Sequence, residues 1–251
     1  MIISHSKKFI FLRTIKTASS SIEIFLSQFC SKDDILTELF DDEEKFKKKN
    51  NLIGKRNSNI KILSFKLKNL ILFNFFKSKK IWVHDSLENV LKSPLKKKIH
   101  DYFIFAFVRN PYDWIVSYFF WDIRLNKKYK KISISNMPKK RLIEFFNNFL
   151  NSEARYFFDT NTKIISRYPK KIHVYKYEKL VIEIKKILNT LKIKKIRVPL
   201  NQIHFKKNSF QKNKKKIIDR NAKKKILKYG KFFFTNFKYS QKIPKHLKSE
   251  Y

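Results

Sequence analysis

Glycine occurs only twice in the 251 residues, cysteine once, methionine twice and proline six times. With no glycine before Gly54, the amino-terminal region cannot hold a G-x-x-x-x-G-K-[ST] loop, which argues against an ATP or GTP hydrolase of that kind. The lone Cys30 excludes an intramolecular disulfide, and without companion cysteines or clustered histidines it cannot build a structural zinc site. A reducing, cytoplasmic setting is the natural expectation, with no metal. Long apolar runs are also missing: FIFAFV and LILFNFF fall far short of the roughly 18 residues that span a bilayer. Lys7, Lys8, Arg13 and Lys16 interrupt any signal-peptide core in the opening segment.

Acid is scarce as well. Asp and Glu number 20 against 59 Lys and Arg, a net charge of +39. The 43% hydrophobic content, with 26 Phe, is nevertheless too high for a disordered polycation and can build a sizeable core. Joint enrichment in Lys, Ile, Asn and Phe is what an AT-rich genome produces, so the charge predicts attraction to polyanions rather than a function. Nucleic acid is therefore not expected as a specific partner, while peripheral contact with anionic membranes is compatible with the lysines. Residues 1–44 carry a net −3, so the whole surplus lies in 45–251. We read 1–251 as a single domain with a variable insertion at 41–80 and a basic tail at 240–251.

Candidate strands and helices alternate. FIFLRT (9–14), WVH (82–84), YFIFAFV (102–108) and KIHVYKY read as strands, and SSIEIFLSQFC, SLENVLKS and EKLVIEIKKILNTLKI as helices. Leu180, Ile184, Ile187, Leu188 and Leu191 share one helical face. Asn110-Pro111 places an N-cap residue before a proline at the first helical position. Ile218, Ala222, Ile226 and Tyr229 line a last helix that Gly230 can end. The fold class expected is α/β, a mainly parallel sheet covered by helices on both faces, with ligands at the carboxyl ends of the strands.

Two segments carry chemistry. In FIFLRTIKTASSSIEIFL a strand leads through Lys16 and the hydroxyl residues Thr17, Ser19, Ser20 and Ser21 into a helix, whose first N–H groups attract an anion. Taken alone, this is equally a serine-capped helix beside a surface lysine. In FAFVRNPYDWIVSYFFWDI, Arg109 stands where a strand meets a capped helix, and Ser117 lies eight residues on. Arg109 there could address an oxyanion or simply cap a carboxylate.

Together, K-T-A-S-S-S-I-E and F-V-R-N-P-Y-D-x-x-x-S-Y resemble the two nucleotide-binding motifs of the sulfotransferase superfamily, over residues 7–30 and 81–124 and more weakly to about 239. The resemblance implies a P-loop-like fold and the donor 3′-phosphoadenosine 5′-phosphosulfate. It assigns Lys16, Thr17, Ala18, Ser19, Ser20 and Ser21 to the 5′-phosphosulfate, and Arg109 and Ser117 to the 3′-phosphate. VYKYEKL resembles a later strand–helix segment in which Glu178 is a structural carboxylate, and 197–216 resembles the basic stretch that covers the nucleotide. Two departures stand out: the usual proline before the loop lysine is Ile15, and a frequent loop glycine is Ser19, as in glycan 2-O-sulfotransferases.

W-V-H-D-S-L resembles the H-x-S segment that supplies the base in that branch. His84 is accordingly the expected general base, with Glu23 a second-choice base or positioning group; a core histidine is the plainer alternative for His84. His5, His100, His173, His204 and His246 have no comparable context. The implied activity is sulfuryl transfer to a hydroxyl, with a carbohydrate as the acceptor expected. Two readings compete: a non-catalytic basic module that binds nucleic acid or anionic membrane on the same fold, and a P-loop nucleotide kinase, which lacks its glycines.

Overall fold

The computed structural model describes residues 1–68, 71–126, 134, 137–166, 171–203 and 216–249. Five strands form the main sheet: β1 (Ile2–Ser4), β2 (Phe9–Leu12), β3 (Ile35–Leu36), β6 (Phe103–Val108) and β7 (Ile172–Lys176), in spatial order β3-β1-β2-β6-β7. β2, β6 and β7 are parallel, whereas β1 runs antiparallel to both β2 and β3. The sheet is thus mixed rather than mainly parallel. Only a turn over residues 5–8 separates β1 from β2, and so short a connection can only return antiparallel.

Alternation along the strands builds two unlike faces. Phe9, Phe11, Phe105 and Phe107 point to one side, where Phe11 and Phe105 stack with ring centroids 5.3 Å apart. There they meet α1 (Ser19–Ser27) and α6 (Leu180–Thr190). Ile10, Leu12, Ile104, Ala106 and Val108 face the other side. Their smaller volume admits the aromatic helices α4 (Pro111–Leu125) and α5 (Lys139–Ser166), with α7 (Arg220–Tyr229) and α8 (Lys231–Asn236) beyond. α5, absent from the elements expected, is the longest helix described at 28 residues; Leu142, Phe146, Phe149, Leu150, Phe157 and Phe158 recur along its buried face.

The segment 41–80 folds as α2 (Asp41–Lys49) and a separate antiparallel hairpin, β4 (Asn59–Lys68) with β5 (Ile71–Lys80). The expected strand at 82–84 is instead a turn, because Asp85 closes the chain on itself. Its N–H donates to the Trp82 carbonyl (3.2 Å) and its carboxylate accepts from the Trp82 N–H (2.8 Å). Ser86 then caps α3 (Leu87–Leu91). The stretch 240–249 is packed rather than trailing: Ile218 and Lys248 form a bridge, and Leu247 is buried. No helix of the described residues is long and apolar enough to cross a membrane.

Gly230 ends α7 at φ −86°, an ordinary value, so a left-handed cap is not why glycine stands there. The reason is space, since a Cβ would lie 2.8 Å from the Ile226 carbonyl oxygen and 3.4 Å from the Phe158 ring. Gly230→Ala should therefore lower stability by about 1–3 kcal/mol, the range for overpacking, as read by urea unfolding.

Candidate functional site

Beyond β2 the chain turns through 13–18 into α1, and neighbouring elements pin that turn closely. The Thr14 hydroxyl donates to the Phe107 carbonyl (2.5 Å) on β6, and the buried Thr17 hydroxyl donates back to Thr14 (2.8 Å). The Ile15 N–H donates to Asn161 Oδ1 of α5 (2.8 Å), and the Ile15 carbonyl accepts from the Trp114 indole of α4. A proline in place of Ile15 would have no N–H to give to Asn161.

So held, Lys16 and Ala18 adopt left-handed conformations at φ 64° and 55° without being glycine. α1 has no side-chain cap and no acid in its first turn, and its first backbone bond runs from Ile22 N–H to the Ala18 carbonyl. No acceptor among the described residues is bonded to the N–H groups of Ser19, Ser20 or Ser21. This end of α1 suits an anion. Of the expected hydroxyls, that of Thr17 is committed elsewhere. Thr17 is turned inward, and Ser20 Oγ accepts from Arg13 Nη2 (3.0 Å), which fixes its oxygen but leaves its O–H to donate; Ser19 and Ser20 are both buried, and Ser21 is half-buried.

α4 is buried on nearly every side. Before Arg124, its residues that escape full burial are Asp113, Ser117, Trp121 and Asp122. The first three recur every fourth residue and so form one accessible stripe about 12 Å long, given a rise of 1.5 Å per residue. Arg109 lies at one end, its Nη2 3.9 Å from Asp113 Oδ1 and its guanidinium 4.7 Å from the Tyr177 ring centroid. Lys16 lies at the other, its Nζ 5.6 Å from the Trp121 ring centroid. The two expected phosphate-binding cations thus bracket Ser117 on one face of one helix.

The start of α4, by contrast, is largely satisfied. The Asn110 N–H donates to Glu178 Oε1 (2.6 Å) and the Tyr112 N–H to Asn110 Oδ1 (3.0 Å). Of the amides there, only the Asp113 N–H has no acceptor among the described residues, so an anion near Arg109 would rest mainly on side chains. Glu178 is structural, as expected, and also accepts from the Tyr239 hydroxyl (2.9 Å).

His84 and Glu23 share a neighbour in Arg13. His84 Nδ1 donates to the Arg13 carbonyl (2.8 Å), since a carbonyl can only accept, and this leaves the Nε2 lone pair to take a proton. Burial and then the Arg13 guanidinium lower the pKa of His84 to about 4, so it is neutral at physiological pH. Glu23 is fully buried and meets the Met1 amino group (2.8 Å), Arg13 Nη1 (3.1 Å) and Lys47 Nζ (3.9 Å). Burial would raise its pKa, but the buried groups around it, Arg13 and Lys47 among them, hold it below the usual carboxylate range, while burial lowers the Met1 amino group to about 5. Of its two expected roles, the geometry leaves positioning, because a shielded carboxylate cannot reach an acceptor.

Asn161, Asp113 and Trp121 were not among the expected site residues. Asn161 had a usable signal, a lone amide at a core position of the α5 pattern, which must find a partner once buried. The expected basic stretch enters as 197–203, tied to α1 by Gln28, which accepts from the N–H groups of Arg197 (2.7 Å) and Val198 (3.1 Å). Residues 204–215 lie outside the described residues. A cavity of about 470 Å³ at α2, lined by Asp41, Glu44, Lys45, Lys48, Leu52, Gly54 and Lys55, shares no residue with the stripe. Among the described residues no group of three or more His, Cys, Asp or Glu gathers as metal ligands.

Two stability measurements test this site. Ala18→Gly should stabilise the fold by about 1–2 kcal/mol by relieving left-handed strain, and a neutral or destabilising result would refute that strain. His84 is neutral in the folded chain down to about pH 4, but protonates near 6.5 when unfolded. It therefore withdraws stability as pH falls between those values, and His84→Asn should flatten that part of a pH series of denaturant titrations.

Comparison with protein-family models, with curated proteins and with solved structures returns no match.

Proposed function

We propose that the chain is a sulfotransferase of P-loop-like fold that moves a sulfuryl group from 3′-phosphoadenosine 5′-phosphosulfate to a hydroxyl, with a carbohydrate as the favoured acceptor. The observation that carries this reading is the accessible stripe of α4 with Lys16 at one end and Arg109 at the other. The donor set suits a two-phosphate nucleotide: an uncapped helix start with a lysine for one phosphate, and an arginine with a serine for the other. When bound, the nucleotide supplies an activated sulfuryl group on a phosphosulfate anhydride.

The chain's own residues would do the rest. Lys16 and the first amides of α1 hold the charge that grows on the leaving phosphate. Arg109 and Ser117 hold the second phosphate, whose charge stays constant. His84 Nε2 removes the proton of the acceptor hydroxyl as its oxygen attacks sulfur. Glu23 fixes Arg13, and through the Arg13 carbonyl it fixes the tautomer of His84. Lys-rich surroundings steer anionic donor and acceptor alike, and the reducing cytoplasm is the proposed setting.

Calorimetry with adenosine 3′,5′-bisphosphate at low salt is the first test. Binding supports the reading; its absence overturns it and favours the purely basic module. Arg109→Ala should weaken that binding by about 1.5–3 kcal/mol, while Lys16→Ala should chiefly slow turnover. Equal affinity losses with unchanged turnover would refute this division.

His84→Ala should lower turnover by roughly 10²–10⁴-fold with nucleotide affinity nearly unchanged. In the wild type, kcat/KM should be level above about pH 5 and fall on the acid side near pH 4, following the lowered pKa of His84. An acid limb near 6.5, or full activity of the His84 variant, would overturn its assignment as base.

A further inference from the structure

The carboxyl-terminal stretch crosses the Arg109 end of the α4 stripe as a strap fixed at several points. Its Gln241 carbonyl accepts from the Tyr112 hydroxyl (2.8 Å), and Tyr239 donates to Glu178 while its ring lies under Lys176 Nζ at 4.7 Å. Further on, the Ile218 N–H donates to the Leu247 carbonyl (3.0 Å), and the Ser249 N–H to the Ile218 carbonyl (3.0 Å). Between these anchors His246 meets Asp113, with Nε2 2.9 Å from Oδ1. A carboxylate only accepts, so the imidazole Nε2–H donates in either charge state.

That same Asp113 oxygen is 3.9 Å from Arg109 Nη2, too far for a direct hydrogen bond. One carboxylate oxygen thus stands between two cationic or donor groups and is bonded to the one on the strap. Were Asp113 to close on Arg109, it would occupy the guanidinium that the proposed function gives to a phosphate. Two amides at the start of α4 are taken by Glu178 and Asn110, and the single one left, that of Asp113, cannot replace a guanidinium.

We infer that His246 is a positioning residue for nucleotide selection: by holding Asp113 it keeps Arg109 open to a phosphate on the ribose, so that the strap completes that subsite. This rests on the sulfotransferase reading. It concerns the ribose phosphate alone, because Lys16 and the α1 amides lie at the other end of the stripe. The His246 side chain is 62% exposed, so removing it should not unfold the chain.

The test compares adenosine 3′,5′-bisphosphate with adenosine 5′-monophosphate on the full chain by calorimetry. His246→Ala should bind the bisphosphate about tenfold more weakly and the monophosphate equally well, so the preference between them falls about tenfold. His246→Gln, which retains a donor, should recover most of the preference. Adding Asp113→Asn to His246→Ala should restore it, because a neutral amide no longer competes for Arg109. Unchanged preference in His246→Ala, or a double variant as weak as the single one, would overturn the inference while leaving the sulfotransferase reading intact. A wild-type chain that binds no bisphosphate would remove both.

Discussion

A single buried carboxylate holds the candidate site together. Glu23 sits with no exposure on α1 and draws in the Met1 amino group, Arg13 at the end of β2 and Lys47 of α2. Each partner comes from a different element, so the one charge fixes the angle between α1 and the sheet and docks α2 against both. Loss of Glu23 itself would leave the buried Arg13 guanidinium without its carboxylate, the kind of change that costs about 3–5 kcal/mol. Arg13 in turn orients Ser20 through Nη2 and His84 through its carbonyl. The site's proposed base and its anion loop therefore share a support that leaves the base's second ring nitrogen and the first amides of α1 unengaged.

The loop above that support is unusual in turning through two left-handed residues, Lys16 and Ala18, without a glycine. Such conformations persist where their surroundings over-determine them. Here both polar groups of Ile15 are engaged, by Asn161 of α5 and Trp114 of α4, and Thr14 and Thr17 are tied to β6 and to each other. External pinning replaces the conformational freedom that glycine would supply. The result is a turn held from several elements, with the N–H groups of Ser19, Ser20 and Ser21 left open at the start of α1.

The charge of the chain is handled differently at the site than elsewhere. Of the few acids, Glu23, Asp113 and Glu178 lie against Arg13, Arg109 and the start of α4. They do not cancel the positive field so much as place it: Glu23 fixes the Arg13 guanidinium, Glu178 takes the Asn110 N–H, and Asp113 is bonded to His246 rather than to Arg109, while the first amides of α1 stay open. Lysines on the remaining surface supply a diffuse field that attracts any polyanion. Discrimination between anions must come from the spacing of Lys16 and Arg109 along α4.

The sequence by itself determined the strands at 9–12, 103–108 and 172–176, the Asn110-Pro111 start of α4 and the residues at both ends of the stripe. These follow from short-range signals: apolar runs, caps and residue types at fixed spacing. It also held signals that local reading passed over, namely the periodic apolar face of α5 and the buried Asn161 upon it. The antiparallel β1, the turn at 82–85 and the β4–β5 hairpin depended on pairing partners and on one side chain, Asp85, closing the chain. Only the tertiary structure decided that Glu23 is enclosed by cations, that His84 presents Nε2 and that His246 reaches Asp113. Each of those outcomes depends on groups 10 to 133 positions apart in sequence, and neither burial nor a counter-charge exists for them until the sheet and its two helical layers have closed.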